Sequence, residues 1–322
     1  MQRRQILGHV LAALMALPMA AMAAQSYPDR PVTIVVPFAV GGGSDNIARL
    51  IATKLATRTG KTFIIDNRGG GGTNIGNSVA ARATPDGYTL LLGQFTLSVN
   101  PYLYRHLPYK PDTFVPVVHI ANAPTVLIVP KTSPIKDVQG LISAAKAAPG
   151  KLNFGSGGFG TSVQLAGELF KLKTGTQMVH IPYKGSAPAM KDLIGGEINM
   201  MFDTATSALS YVKNGQVRAI GIAARHRMST LPDVPTFAEQ GLKDFDVPVW
   251  YGFVAPAGTP AAAVQWLNTQ VDAVLKDDAV VKQLSSLGAV PVGGTSAQFG
   301  DFMKAQAARW EHVIKAAGIK PN

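Results

Sequence analysis

Twice in this chain a short β-branched run is followed by a glycine-rich loop and then by a helical pattern. The first run is Val32-Thr33-Ile34-Val35-Val36, continuous in the manner of a buried strand. Pro37 to Gly43 forms the loop behind it. Ile47, Leu50, Ile51 and Leu55 then recur at helical spacing, with Ser44 as the predicted N-cap and Gly60 as the stop. The second unit runs from Leu152–Phe154 through Gly155–Gly160 into a helix opened by Thr161 or Ser162 and ending near Lys173. The units begin about 120 residues apart, too far for a solenoid repeat. One unit in each of two lobes is the simplest arrangement.

The intervening sequence keeps the same alternation. Phe63–Asp66 reads as a second strand, Thr73–Ala83 as a second helix and Tyr88–Leu92 as a third strand after the Asp86-Gly87 turn. Thr125–Val129 restarts the pattern, with a helix over Asp137–Ala148. Met178–Ile181, Met200–Phe202 and Val217–Ala223 are further strands. Alternating strands and helices predict an α/β fold with mainly parallel sheets. Beyond Trp250 the pattern reads as helical, with Thr259 capping a helix at Pro260 and two more helices near 278–287 and 297–317. This tail, without a clear sheet of its own, is expected to pack back onto the first lobe. The chain would then cross between lobes twice, near 123–126 and 248–253.

With 47% hydrophobic and 15% charged residues, the 322-residue chain has ample material for one or two cores and does not fit intrinsic disorder. It has no cysteine, which excludes disulfides, thiolate metal sites and thiol nucleophiles. Its net charge of +11 suggests anionic partners. The basic residues are dispersed and not interleaved with aromatics, so nucleic acid is not an expected partner.

The N-terminus reads as an export signal. Arg3 and Arg4 precede an uncharged run from Val10 to Ala24, and Ala21-Met22-Ala23 fits a cleavage site. The run is shorter than the roughly 20 residues of a spanning helix. Arg3-Arg4 also resembles a twin-arginine signal, so both export routes stay open.

Most catalytic motifs fail on inspection. Gly155 to Gly160 matches G-x-G-x-x-G between a strand and a helix, but no acid follows Met178–Ile181 to hold a ribose. Gly71–Gly76 has P-loop spacing with Asn77 in place of the lysine. Ser44 and Ser156 lack the G-x-S-x-G frame. The histidines are scattered, and no pair has helical metal spacing. No cofactor, metal or catalytic group is expected. What remains is glycine loops feeding helix N-termini, whose free N–H groups and dipoles bind anions. Ser44, Thr73, Ser156, Thr161 and Ser162 add hydroxyls beside them.

Val35-Val36-Pro37-Phe38-Ala39-Val40-Gly41-Gly42-Gly43-Ser44-Asp45 resembles the first binding loop of the Bug family. That family comprises the extracytoplasmic solute receptors of tripartite tricarboxylate transporters. Asp66-Asn67-Arg68 with Asn74-Ile75-Gly76, and Pro85 to Leu91, resemble its next segments. Phe154 to Thr161, Leu165 to Phe170, His180 to Ala189, and Met201-Phe202-Asp203 carry the likeness through the second half. Val40 and Gly69 depart from the family pattern, standing where proline is common.

The resemblance implies a two-lobed periplasmic-binding-protein fold with two mixed sheets, flanking helices and a hinged cleft. It implies a signal peptide over 1–23, a first lobe from 24–125 and 251–322, and a second from 126–250. A small carboxylate would be held by Phe38, Gly43, Ser44, Asp45 and Asn74 from one lobe. Ser156, Gly158, Thr161, Lys184 and Asp203 would hold it from the other. Gln94, just past the third strand, either faces the cleft or sits as an ordinary loop residue. The implied partners are a small organic anion, two integral-membrane transporter subunits and a sensor kinase, with the receptor monomeric. The alternative is an exported enzyme acting on a small organic acid, which would need an acid–base pair such as Asp45 and Asp203 meeting across the cleft.

Overall fold

The computed structural model describes residues 27–110, 112–183 and 185–321. The expected signal segment and Lys184 lie outside the described residues. In chain order the elements are β1 (Val32–Val36), α1 (Gly43–Thr59), β2 (Phe63–Asn67), α2 (Asn74–Ala81), β3 (Thr89–Gln94), α3 (Phe95–Leu103) and β4 (Phe114–Ala123). There follow β5 (Thr125–Pro130), α4 (Val138–Ala147), β6 (Asn153–Ser156), α5 (Ser162–Thr174), β7 (Val179–Pro182), α6 (Ser186–Gly195), β8 (Met200–Thr204), α7 (Ala205–Lys213) and β9 (Val217–Ala223). The last elements are β10 (Val249–Pro256), α8 (Ala261–Leu275), α9 (Asp278–Ser286), β11 (Val290–Pro291) and α10 (Ser296–Ala316).

They build two sheets, one ordered β11-β4-β10-β3-β1-β2 and the other β7-β6-β8-β5-β9. Both are mixed. β1 lies parallel to β2 and β3, and β6 parallel to β7 and β8. β10 is antiparallel to β3 and β4, and β5 antiparallel to β8 and β9. The expectation of mainly parallel sheets is therefore corrected. Parallel pairing holds only where a strand–loop–helix unit returns the chain to the same end.

Two elements account for the difference. β10 lies inside the stretch read as helical, yet it is central to the first sheet and buried throughout. A strand buried on both faces shows no alternation, so its apolar run cannot be told from a buried helix. β4, unassigned from sequence, is the other partner of β10. The helix starts differ too. Gly42 rather than Ser44 is the N-cap of α1, without a side-chain hydrogen bond. Thr259 donates to the Pro256 carbonyl at 2.8 Å and does not cap α8.

The chain passes from the first sheet to the second at Pro124 and returns through 224–248. Thr125 Oγ1 donates to the Val247 carbonyl at 2.7 Å and ties the two passages together. α10 opens with a capping box of Thr295 and Gln298 and lies on the first sheet. Its Trp310 meets Phe95 edge-on at 4.8 Å, and its Phe299 meets Trp250 at 5.6 Å. A cluster of Phe170, Phe202, Phe237 and Phe245 fills the second core.

Candidate ligand-binding cleft

Parallel strands with helical returns place the carboxyl ends of β1 and β3 on one edge of the first sheet. They place those of β6, β7 and β8 on one edge of the second. Each of these strands hands the chain to a helix: α1, α3, α5, α6 and α7. The first residues of all five helices line one cleft of about 520 Å³. Crevices at strand carboxyl ends are where open α/β sheets bind ligands.

Side-chain caps are scarce at these helix starts. No side chain caps α1, α3, α6 or α7. Only α5 is capped, by Thr161, which accepts from Gln164 N at 3.4 Å. Away from the cleft, α4, α9 and α10 are capped by Asp137, Asp277 and Thr295, while α2 and α8 also lack a side-chain cap. First-turn N–H groups have no partner within their own helix. Left uncapped around a concavity, they favour an anion through hydrogen bonds and helix dipoles. Among the described residues, no charged side chain lines the cleft.

Five of the expected residues, Phe38, Gly43, Ser44, Gln94 and Thr161, line it. Gln94 donates Nε2 to Ser44 Oγ at 2.5 Å, which leaves the Ser44 hydroxyl hydrogen free to turn to a ligand. Gly43 lies against the opposite wall: a Cβ built there would stand 2.5 Å from Thr206 Oγ1.

Five others stand behind the wall. Asp45 accepts from Gly41 N at 2.8 Å, Arg49 Nε at 2.9 Å and Asn67 Nδ2 at 3.0 Å. Burial raises its pKa, but the Arg49, Gly41 and Asn67 hydrogen bonds outweigh that and hold it below the usual carboxylate range. Its carboxylate therefore folds the first loop. Asn74 Oδ1 accepts from Asn100 at 2.8 Å, within a network where Thr73 donates to Thr96, and Thr96 lines the cleft. Ser156 Oγ pairs with His180 Nε2 at 2.7 Å and accepts from Gly158 N at 3.1 Å. Burial pushes His180 down to about 4, so it is neutral there at pH 7. Gly158, at φ +128°, offers its carbonyl to Thr161 Oγ1 at 2.7 Å. Asp203 is fully buried, and its Oδ1 accepts from Ser186 Oγ at 3.0 Å and Thr204 N at 2.8 Å. Among the described residues its Oδ2 meets no hydrogen-bond geometry. Burial pushes the carboxyl up to about 6, outweighing the Ser207 hydroxyl, which is near enough to lower its pKa. Neither Asp45 nor Asp203 is among the lining residues, so these two carboxyls do not meet in the cleft.

Sequence reasoning missed Thr96, Ser186, Thr204, Thr206, Ser207 and Tyr251, all in the lining. Thr96, Thr204, Thr206 and Ser207 sit where β3 and β8 turn directly into helices with no glycine loop to mark the place. A hydroxyl residue at an abrupt strand-to-helix switch was the available signal. Tyr251 belongs to β10, and its OH lies 3.1 Å from Thr206 Oγ1. Burial raises this phenol to about 12, which keeps it protonated.

Comparison with known proteins agrees with this architecture. Residues 47–319 match the model of the tripartite tricarboxylate transporter family receptor. The chain belongs to that family of solute-binding receptors. BugT of Bordetella pertussis is 35% identical, over 94% of this chain and 93% of its own. R. palustris Rpa4515, solved with adipate, is 38% identical with a TM-score of 0.88, over 92% of this chain and 100% of its own. MatC from Rhodopseudomonas palustris, solved with bound malate, is 33% identical with a TM-score of 0.82, over 89% of this chain and 100% of its own.

Proposed function

We propose that this chain captures a small organic carboxylate between its two lobes and presents it to a tripartite tricarboxylate-type membrane transporter. The observation that carries the reading is the ring of five helix starts, four of them without a side-chain cap, around a cleft with no charged lining side chain among the described residues. An anion can take up those N–H groups without burying a lysine or arginine, whose own desolvation would offset much of the gain. The relatives solved with adipate and malate support this chemistry.

The working protein on this reading is the mature periplasmic chain after loss of residues 1–23. Residues 24–125 and 251–322 form one lobe, and 126–250 the other. It acts as a monomer toward two integral-membrane subunits, with a sensor kinase as a second recipient of the closed form. Gly43, Ser44, Gln94 and Thr161 contact the ligand. Asp45, Asn74, Ser156, Gly158 and Asp203 shape the loops and hydroxyls that do so.

The test is mass spectrometry of small molecules released on denaturing protein purified from its native periplasm, followed by adding each candidate back. An intact organic acid that rebinds one-to-one and is recovered unchanged is the expected result. Conversion of that acid by the pure protein, or rebinding only of uncharged molecules, would overturn the reading.

A further inference from the structure

A second cavity, of about 660 Å³, shares no residue with the ligand cleft. It lies where the two passages between the sheets meet. Pro124 belongs to one passage, and Asp246 and Pro248 to the other. The loop 224–230 after β9 forms a wall from the second lobe. The turn at Gly288–Val290 and the side of α10 form the wall from the first.

The lining combines an apolar bed with a positive rim. Met228, Val290 and Phe302 supply apolar surface beside the two prolines. Three arginines stand around them, and their commitments differ. Arg227 is held by Glu239 at 3.0 Å, and Arg309 donates to the Asp246 carbonyl. Arg225 is 86% exposed along its side chain, and Asp246 Oδ2 lies 3.9 Å away, beyond hydrogen-bond range. Asp246 is the one lining carboxyl among the described residues, and burial raises its pKa while Arg309 and Arg225 pull it down. The rim therefore keeps a net positive charge, and the Arg225 guanidinium, in only a long ion pair with Asp246 and without a hydrogen bond among the described residues, can fork onto an anion. The volume falls within the range of small-molecule sites.

The cavity also touches the mechanism of closure. Gly288 in its wall packs on Ala205: a Cβ there would lie 2.9 Å from the Ala205 Cβ. Ala205 opens α7, and its neighbours Thr206 and Ser207 line the ligand cleft. One helical turn thus separates the two cavities.

We propose that this cavity is a second binding site, seated across the hinge, for an organic anion with an apolar aromatic or alkyl body. The anionic group pairs with Arg225, and the body lies on Met228, Val290 and Phe302. A molecule held there bridges both lobes. The proposal is independent of what the main cleft binds.

The test uses the mature chain, uniformly labelled for amide NMR, with 4-phenylbutyrate as the probe and 4-phenylbutyramide as its uncharged control. Shifts are expected at the amides of 224–230 and 285–290, and the amide control should bind about tenfold more weakly. Arg225→Glu, at an exposed position, should weaken 4-phenylbutyrate by a similar factor while leaving the rest of the spectrum in place. Shifts confined to the residues of the main cleft, equal binding of acid and amide, or full affinity in Arg225→Glu would each overturn the proposal.

Discussion

Gly43 and Thr206 meet across the cleft with no room for a side chain between them. A Cβ at Gly43 would stand 2.5 Å from Thr206 Oγ1 and 2.8 Å from its Cβ. Gly43 does not have a positive φ, so a larger residue does not strain its own backbone. Gly43→Val should therefore fold, keep its unliganded melting temperature within a few degrees, and lose about 2–4 kcal/mol of ligand affinity because the lobes cannot close. Calorimetry with the native ligand checks this, and undiminished affinity would show that closure does not need this contact. Asp203 makes a different kind of prediction. Its folded pKa of about 6 lies above the ordinary 3.8, so the native state holds its proton more tightly than the unfolded chain. Its contribution to stability is full below the unfolded pKa and is lost as pH rises through about 6. His119 and His180, both pushed down to about 4 by burial, act in the opposite sense as pH falls below their ordinary 6.5. The difference between Asp203→Asn and wild type isolates the aspartate. That difference should move in favour of the variant by about 2–3 kcal/mol between pH 4 and pH 7.5, read by urea unfolding. A pH-independent difference would mean that Asp203 is not buried as an isolated carboxylate.

At the level of elements, the two strand–loop–helix units were legible because β-branched runs and glycine loops mark both ends of each. Val32–Val36 and Ser162–Thr174 fall close to where sequence puts them. α3, α6 and α7 left no such mark. They are nine or ten residues long, and α3 and α7 begin directly at a strand end. Their functional first turns therefore went unread, together with Thr96, Ser186 and Thr206. β10 was hidden for the opposite reason, since burial on both faces erased its periodicity. The loop residues Asp45, Asn74 and Ser156 were found as part of the family pattern, yet their side chains are spent on holding loop shape. Sequence likeness does not separate a side chain that touches a ligand from one that positions the backbone that does. Thr161 shows both roles, capping α5 and donating to Gly158. Thr161→Ala should cost about 1 kcal/mol of stability from the lost cap, and about 1–2 kcal/mol of affinity besides. Urea titration and calorimetry separate the two, and a change in neither would remove Thr161 from the cleft wall's working parts.

Across the whole molecule, charge and site are distinct matters. The chain carries +11, yet among the described residues none of that charge lines the cleft. Surface lysines and arginines speed the encounter with an anion and are screened by salt. On the proposed reading, what holds the ligand is the set of helix starts that two mixed sheets bring to one crevice. The cleft is assembled from both lobes, and the passages between them are tied by Thr125 and Val247. Closure that excludes water would leave the N–H groups in a medium where ions in solution screen them little.

Carboxylate recognition by helix starts is tested by calorimetric titration of the tightest-binding dicarboxylate and of its diamide, in low salt and again in about 0.5 M salt, where the screening length falls to a few ångströms. The acid should bind at least about a hundredfold more tightly than the diamide, and this preference should survive high salt. Equal affinities, or a preference that disappears with salt, would contradict recognition of a carboxylate by helix N-termini within a closed cleft.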